Sequence, residues 1–399
     1  MAALKYWVWL AALQGVGSLT KLALLEHFRD PEAVYSGEGE EYLLVEGVTR
    51  AAARALEEKS LENAERILAD CDRLHVDILT IQDAAYPDRL KNIYDPPLLL
   101  YVQGRLPRFD EEVAIAMVGT RDATGYACFT GEKLAFQMAG LGAVIVSGLA
   151  EGVDTAAHRG ALRSGGTTVA VIGGGHDITY PKSNRFLYED IRCRGCILSE
   201  YPPGTEHRGK HFPVRNRIIS GLCLATVVVE APECSGALIS ASRALDQGRD
   251  VFAVPGPIDD PRCAGSNKLL RDGAGVVTDA WDILRHYAAR YPHRIRQLRV
   301  EEPRSYGEPA PREAPAPAPA APGAEDHRPL FDLEGDHGLT DDQIRIVKEL
   351  QEGTLHVDDI IDRTQIPTRR VLSALTMLEI DEIVAQSSGK RFSLAVTLK

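Results

Sequence analysis

Val113-Ala-Ile-Ala-Met-Val118, followed by Ala143-Val-Ile-Val-Ser147 and Thr168-Val-Ala-Val-Ile172, decides how this chain folds. Each is a short, unbroken apolar run without alternation, which is what a strand covered on both faces requires. Helical segments of roughly a dozen residues separate them, over Tyr126–Met138 and Gly152–Arg163. The alternation continues with a helix over Asn184–Cys193 and strands over Ile197–Glu200, Ala225–Glu230, Val251–Val254 and Gly275–Val277. Further helices fall at 214–222, 236–247 and 266–272. Ile78–Ile81 and Leu98–Val102 precede the series as strands, with a short helix at Tyr86–Leu90. Strands alternating with helices in this way form a parallel sheet with helices on both faces. The expectation is an extended Rossmann-type α/β domain over 77–292.

On either side the pattern changes. Residues 1–76 read as short helices, paired around Gln14-Gly-Val-Gly17 and again around Glu46-Gly-Val-Thr49, a SAM-like or helix-hairpin-helix-like module. Such glycine turns either present backbone N–H groups to phosphate or simply cap a small bundle. Few basic residues flank them, which favours the bundle. Residues 293–338 are rich in proline and alanine, cannot build a core, and read as an extended spacer. From 339 to 399 helices are expected over Asp341–Leu350, Val357–Thr364 and Thr368–Asp381. A ribbon over Ile383–Gln386 and Phe392–Ala395 completes a winged helix. The third helix of many such modules reads DNA. Here ten acidic residues stand against eight basic ones, so a protein-contact or accessory role is an equal reading.

Composition narrows the classes. The 399 residues carry a formal charge of −12, against indiscriminate binding along a nucleic-acid backbone. Local patches still act separately, because salt screens charges beyond roughly 8–10 Å. No apolar run is long enough to cross a bilayer, and the apolar start lacks the charged lead and cleavage site of a signal peptide. Seven scattered cysteines fit reduced thiols in a cytoplasm rather than a disulfide framework.

In an open parallel sheet, ligands bind beyond the carboxyl ends of the strands. Four stretches there carry chemistry. Val118-Gly119-Thr120-Arg121 offers turn N–H groups and a guanidinium fork for phosphate. Ser147-Gly148-Leu-Ala-Glu-Gly-Val-Asp154 allows close backbone approach, and Asp154 with His158 four residues on is an acid–base pair, half a metal site or a structural hydrogen bond. Gly173-Gly-Gly-His-Asp-Ile-Thr-Tyr180-Pro-Lys182-Ser-Asn184 follows the third strand. The fourth, Lys210-His-Phe212-Pro-Val-Arg215-Asn216-Arg217, is a basic neighbourhood with an aromatic ring, suited to stacked bases and their phosphates. Cys193-Arg-Gly-Cys196 has redox or zinc spacing but sits at a helix C-terminus without a second pair, and reads as chance. The P-loop, the dinucleotide G-x-G-x-x-G and the G-x-S-x-G elbow are all missing.

These stretches, together with Ser199-Glu-Tyr, Ser235-Gly-Ala-Leu-Ile and Gly248-Arg-Asp-Val-Phe-Ala-Val-Pro-Gly256, resemble the DNA-processing protein A family (DprA, also called Smf) over about 85–280. The resemblance implies a non-catalytic recombination mediator that binds single-stranded DNA in the cytoplasm, loads RecA onto it in natural transformation, and needs neither cofactor nor metal. By motif position it implies a DNA pocket at Arg121, Lys182, Lys210, Phe212 and Arg215, to which the loop chemistry adds Gly119, Thr120, Ser147, Gly148, Asn184, Asn216 and Arg217. It also implies a homodimer, with Leu269, Leu270, Val276 and Val277 as an apolar patch, or simply as core. At Arg262-Cys-Ala-Gly-Ser-Asn267 the chain departs from the family's pattern. Two other readings compete. One is a nucleoside-monophosphate hydrolase resembling lysine decarboxylases, opposed by Glu230-Ala-Pro-Glu-Cys-Ser-Gly-Ala in place of that group's glycine-rich glutamate signature. The other is a transcription factor acting through an acidic winged helix.

Overall fold

The computed structural model describes residues 3–295, 330–331, 339–381, 383–387 and 391–398. Most of the proline-rich spacer, and the 388–390 turn of the expected ribbon, lie outside them. The chain divides into two compact units, Met1–Pro303 and Arg304–Lys399.

The first unit is built on nine strands: β1 (Asp77–Thr80), β2 (Leu99–Gly104), β3 (Ala114–Val118), β4 (Val144–Ser147), β5 (Thr168–Ile172), β6 (Cys196–Ser199), β7 (Ala225–Val228), β8 (Asp250–Ala253) and β9 (Gly275–Val276). Their order across the sheet is β1-β2-β6-β5-β4-β3-β7-β8-β9. From β6 to β9 all neighbours are parallel. At the other edge β2 runs antiparallel to both β6 and β1, pairing Tyr101 with Ser199 and Asp77 with Val102. The sheet is therefore mixed where the sequence suggested only parallel strands. The connections flanking β2 hold nothing longer than the four-residue helix Asp88–Lys91 and the 3₁₀ turn Phe109–Glu111. Neither is the full crossover helix that usually returns a chain to a parallel neighbour.

Why helices form between the parallel strands is visible at their starts. Thr124 caps the helix Gly125–Gly140 by accepting from the Ala127 N–H at 3.0 Å, and Ser235 caps Gly236–Asp246 in the same manner. The helix His211–Gly221 begins before Pro213, whose missing N–H costs nothing in the first turn. The N-terminal helices are not a separate bundle in packing terms. Trp7, Leu10, Leu24 and Leu56 belong to one continuous buried cluster with Leu99, Leu100, Val171 and Leu198 of the sheet. On the opposite face Leu134, Ala157, Ile283 and Leu284 pack over Ile115, Ile145 and Val227.

Chain direction creates a crevice at the carboxyl edge of the sheet. From β3 the strands step outward through β4 and β5 to β6, and the helix His211–Gly221 then carries the chain back to β7 on the other side of β3. The carboxyl ends of β3 and β7 flank this reversal, the place where open α/β sheets bind ligands.

The second unit holds helices Asp341–Glu349, Val357–Thr364 and Thr368–Ile380 around a core of Ile346, Ile360, Val371, Leu375 and Phe392. Strands Val384–Ser387 and Arg391–Leu394 form the ribbon, and Leu355–His356 joins as a third strand that the sequence did not reveal. This is a winged helix. Among the described residues no helix is long and apolar enough to cross a membrane.

Candidate nucleic-acid interface

At the strand reversal lies an open groove of about 540 Å³. The turn Gly119–Asp122 after β3 forms one wall, and Pro232 to Ser240 after β7 forms another. Ala150 contributes from the loop after β4, Asp154 from the first turn of the helix Val153–Arg163, and Phe212, Arg215 and Asn216 from the helix His211–Gly221. Phe212 is half-buried at the rim. The Arg121 guanidinium lies 4.6 Å from its ring centroid and that of Arg215 lies 6.0 Å away. Tyr180 stacks on Phe212 at 5.6 Å, and His207 stacks on Tyr180 at 5.4 Å. A cation, two aromatic rings and an imidazole thus form one column. Rings flanked by guanidinium groups bind flat π-systems that carry negative charge.

Beneath the rim the polar groups serve the protein itself. Arg215 is buried and its Nη1 donates to the Val171 carbonyl at 2.7 Å. Its guanidinium lies so close over Gly148 that a Cβ there would overlap it, so glycine at 148 makes room for the chain's own arginine rather than for a ligand. Burial lowers the Arg215 pKa to about 10, opposed by the nearby Asp154 carboxylate, which leaves it a cation at neutral pH. Asp154 accepts from the Gly148 and Ala150 N–H groups at 3.1 and 3.3 Å, and burial raises its pKa. The Asn184 amide donates to the Leu149 carbonyl and to Thr155 Oγ1, holding Leu149 in the left-handed region at φ +58°. Ser147 Oγ donates to the Met117 carbonyl. His158 pairs through Nδ1 with Thr168 Oγ1 at 2.8 Å, and burial, then the positive charge of Arg215, drives its pKa down to about 3. Asp154 and His158 each have other partners and form no pair with each other. Among the described residues no group of three potential ligands could hold a metal ion.

Comparison with known proteins fits this architecture. The family model for DNA recombination-mediator protein A matches residues 77–288, and that for the DprA winged helix domain matches 314–390. The chain belongs to the DNA recombination-mediator protein A family. DNA processing protein DprA of Streptococcus pneumoniae is 45% identical over 210 residues, 52% of this chain and 73% of that protein. Protein Smf of Synechocystis is 33% identical over 393 residues, covering 97% of this chain and 98% of its own. The X-ray structure of the pneumococcal DprA superposes with a TM-score of 0.63 at 35% identity, covering 70% of this chain and 97% of that one.

Within this DprA-family chain the binding residues singled out from the sequence separate into four groups. Gly119, Thr120, Arg121, Phe212, Arg215 and Asn216 share the groove. Ser147, Gly148 and Asn184 lie buried under it and are engaged as described. Thr120 also gives its N–H to the Glu230 carbonyl at 2.8 Å, so that donor is unavailable to a phosphate. Lys210 and Lys182 are exposed outside the groove: Lys210 precedes the helix His211–Gly221 and faces the adjoining cleft toward the N-terminal helices, and Lys182 opens the turn Lys182–Asn184. Arg217 needs correction. It is buried, with Nε on Asp95 at 3.2 Å and Nη2 on Glu200 at 2.7 Å, and so ties the helix to the sheet rather than facing a ligand. Of the apolar patch, Val276 is exposed, Leu269 and Leu270 are half-buried against the core, and Val277 is a core residue. Sequence reasoning assigned no role to the Tyr180–His207 stack or to buried Glu230. Both occupy ends of strand-following segments, and that position was their available signal.

Proposed function

We propose that this chain binds single-stranded DNA in the groove at the β3–β7 reversal and acts as a recombination mediator that loads a RecA-type recombinase onto the strand. The observation that carries the reading is the rim column: Phe212 with Arg121 over its ring, beside a groove with a second guanidinium in its floor. A base stacking against this column gains about 1–3 kcal/mol, and unpaired bases alone can present that face. Arg121, Lys182 and Lys210 would take successive phosphates, with Arg215 supplying fixed positive potential from below. A homodimer acting in the cytoplasm is part of the same proposal, with Val276 and its half-buried neighbours as the first face to probe.

The test is a salt titration of binding to single- and double-stranded oligonucleotides of one sequence, with nucleotide hydrolysis measured in parallel. The reading expects a marked single-strand preference and no turnover. Equal affinity for both forms, or hydrolysis of a nucleoside monophosphate, would overturn it. RecA filament formation on strands pre-bound by a competing single-strand binder tests the loading step.

A further inference from the structure

We infer that Glu230 is the positioning residue for Arg121: it fixes both ends of the loop that carries the arginine, without touching the groove. The inference rests on the proposed role of Arg121 in binding a single strand.

Glu230 lies two residues beyond β7 and is 1% exposed. Its backbone carbonyl accepts from the Thr120 N–H at 2.8 Å. Its carboxylate accepts from the Thr124 N–H at 3.0 Å through Oε1 and from the Thr124 hydroxyl at 2.6 Å through Oε2. One residue therefore grips the chain immediately before and three residues after Arg121. A buried carboxylate is costly unless it is compensated. Here the compensation is a charge-assisted pair of donors at the start of the helix Gly125–Gly140, where the helix dipole favours negative charge. Thr124 is held in turn as the cap of that helix, so the loop cannot swing without unseating the helix start. On the other side the Gly152 backbone packs directly against the Thr120 and Arg121 carbonyls. The Arg121 side chain itself has no carboxylate within salt-bridge distance among the described residues, so its place over Phe212 depends on its backbone.

The experiment is a double-mutant cycle in the full chain, with single-strand affinity measured from low to high salt. Arg121→Ala alone tests the binding reading: it should lower the slope of log affinity against log salt by about 0.7. If it changes nothing, the binding reading falls and this inference falls with it. Given that loss, Glu230→Ala in a protein of unaltered circular dichroism should lower the slope by a similar amount. The Glu230→Ala, Arg121→Ala double variant should bind within about twofold of Arg121→Ala alone, since a single arginine–phosphate interaction can be abolished only once. Multiplied losses, or wild-type slope in Glu230→Ala, would overturn the inference. Where Glu230→Ala does not fold, Thr124→Val takes its place in the same cycle. Glu230→Gln, which keeps an acceptor for the Thr124 N–H, should recover most of the slope.

Discussion

The groove and the winged helix both present arginines to solvent, but they treat them differently. Arg121 meets no carboxylate among the described residues and rests on an aromatic ring. Arg370, on the third helix of the winged module, is clasped by Asp342 through two bonds, Nε to Oδ2 at 2.7 Å and Nη2 to Oδ1 at 2.9 Å. Arg363 pairs with Glu349 at 3.9 Å. A cation already neutralised by its own chain must be stripped of that partner before it can meet a phosphate. Local availability, rather than the count of basic residues, separates a nucleic-acid surface from a solvated one.

Arg217 is the extreme of the neutralised class and gives the largest expected effect. Arg217→Ala leaves Asp95 and Glu200 facing each other across a mostly buried site, costing about 3 kcal/mol of stability. Denaturant midpoints measure this. An unchanged midpoint with weakened DNA binding would return Arg217 to the ligand-facing class. His158 sets a pH dependence beneath the same groove. Its folded pKa of about 3 lies below the roughly 6.5 of an unfolded histidine, so the unfolded chain takes up a proton that the native one refuses. Stability should be level above about pH 6.5 and fall as pH drops below it. Thermal melts of His158→Gln should show a shallower acid limb.

At the rim, Phe212→Ala should weaken single-strand binding by about 1–3 kcal/mol with little change in salt slope, because stacking releases no counterions. A lower melting temperature with intact affinity would make Phe212 a packing residue. Arg121→Ala and Lys210→Ala should do the reverse, each flattening the slope by about 0.7, so that the loss is greatest at low salt and shrinks as salt rises. Lys210 faces the cleft beside the groove, so its effect should depend on oligonucleotide length, while that of Arg121 should not.

How much of this was legible before folding follows the same division. The strands β3 to β8 could be read because doubly covered strands are continuously apolar, and their order put the four loops at one edge. The antiparallel β2 could not, since strand direction depends on what the connection lacks. Arg215-Asn-Arg217 looked like one basic cluster. Helical spacing separates it, with Phe212, Arg215 and Asn216 facing the groove and Val214 and Arg217 facing the cleft. The partners that hold Arg217, Asp95 and Glu200, come from distant segments, and no local pattern announces them. Gly148 looked like ligand clearance because sequence cannot tell an approaching phosphate from an approaching guanidinium.

The smallest effects belong to the winged helix, and they test the comparison most directly. Arg370→Ala removes a cation that is already spent on Asp342, so single-strand affinity should stay within about twofold and the slope should not move. Asp342→Asn keeps the arginine and removes its anionic partner. If neutralisation is what silences this surface, the slope should steepen by up to about 0.7, since one released guanidinium adds at most one phosphate contact. Equal, null results from both variants would mean that the third helix never approaches the strand, whatever its charges do. A large loss from Arg370→Ala would place part of the DNA path on the winged helix and end the contrast between the two regions.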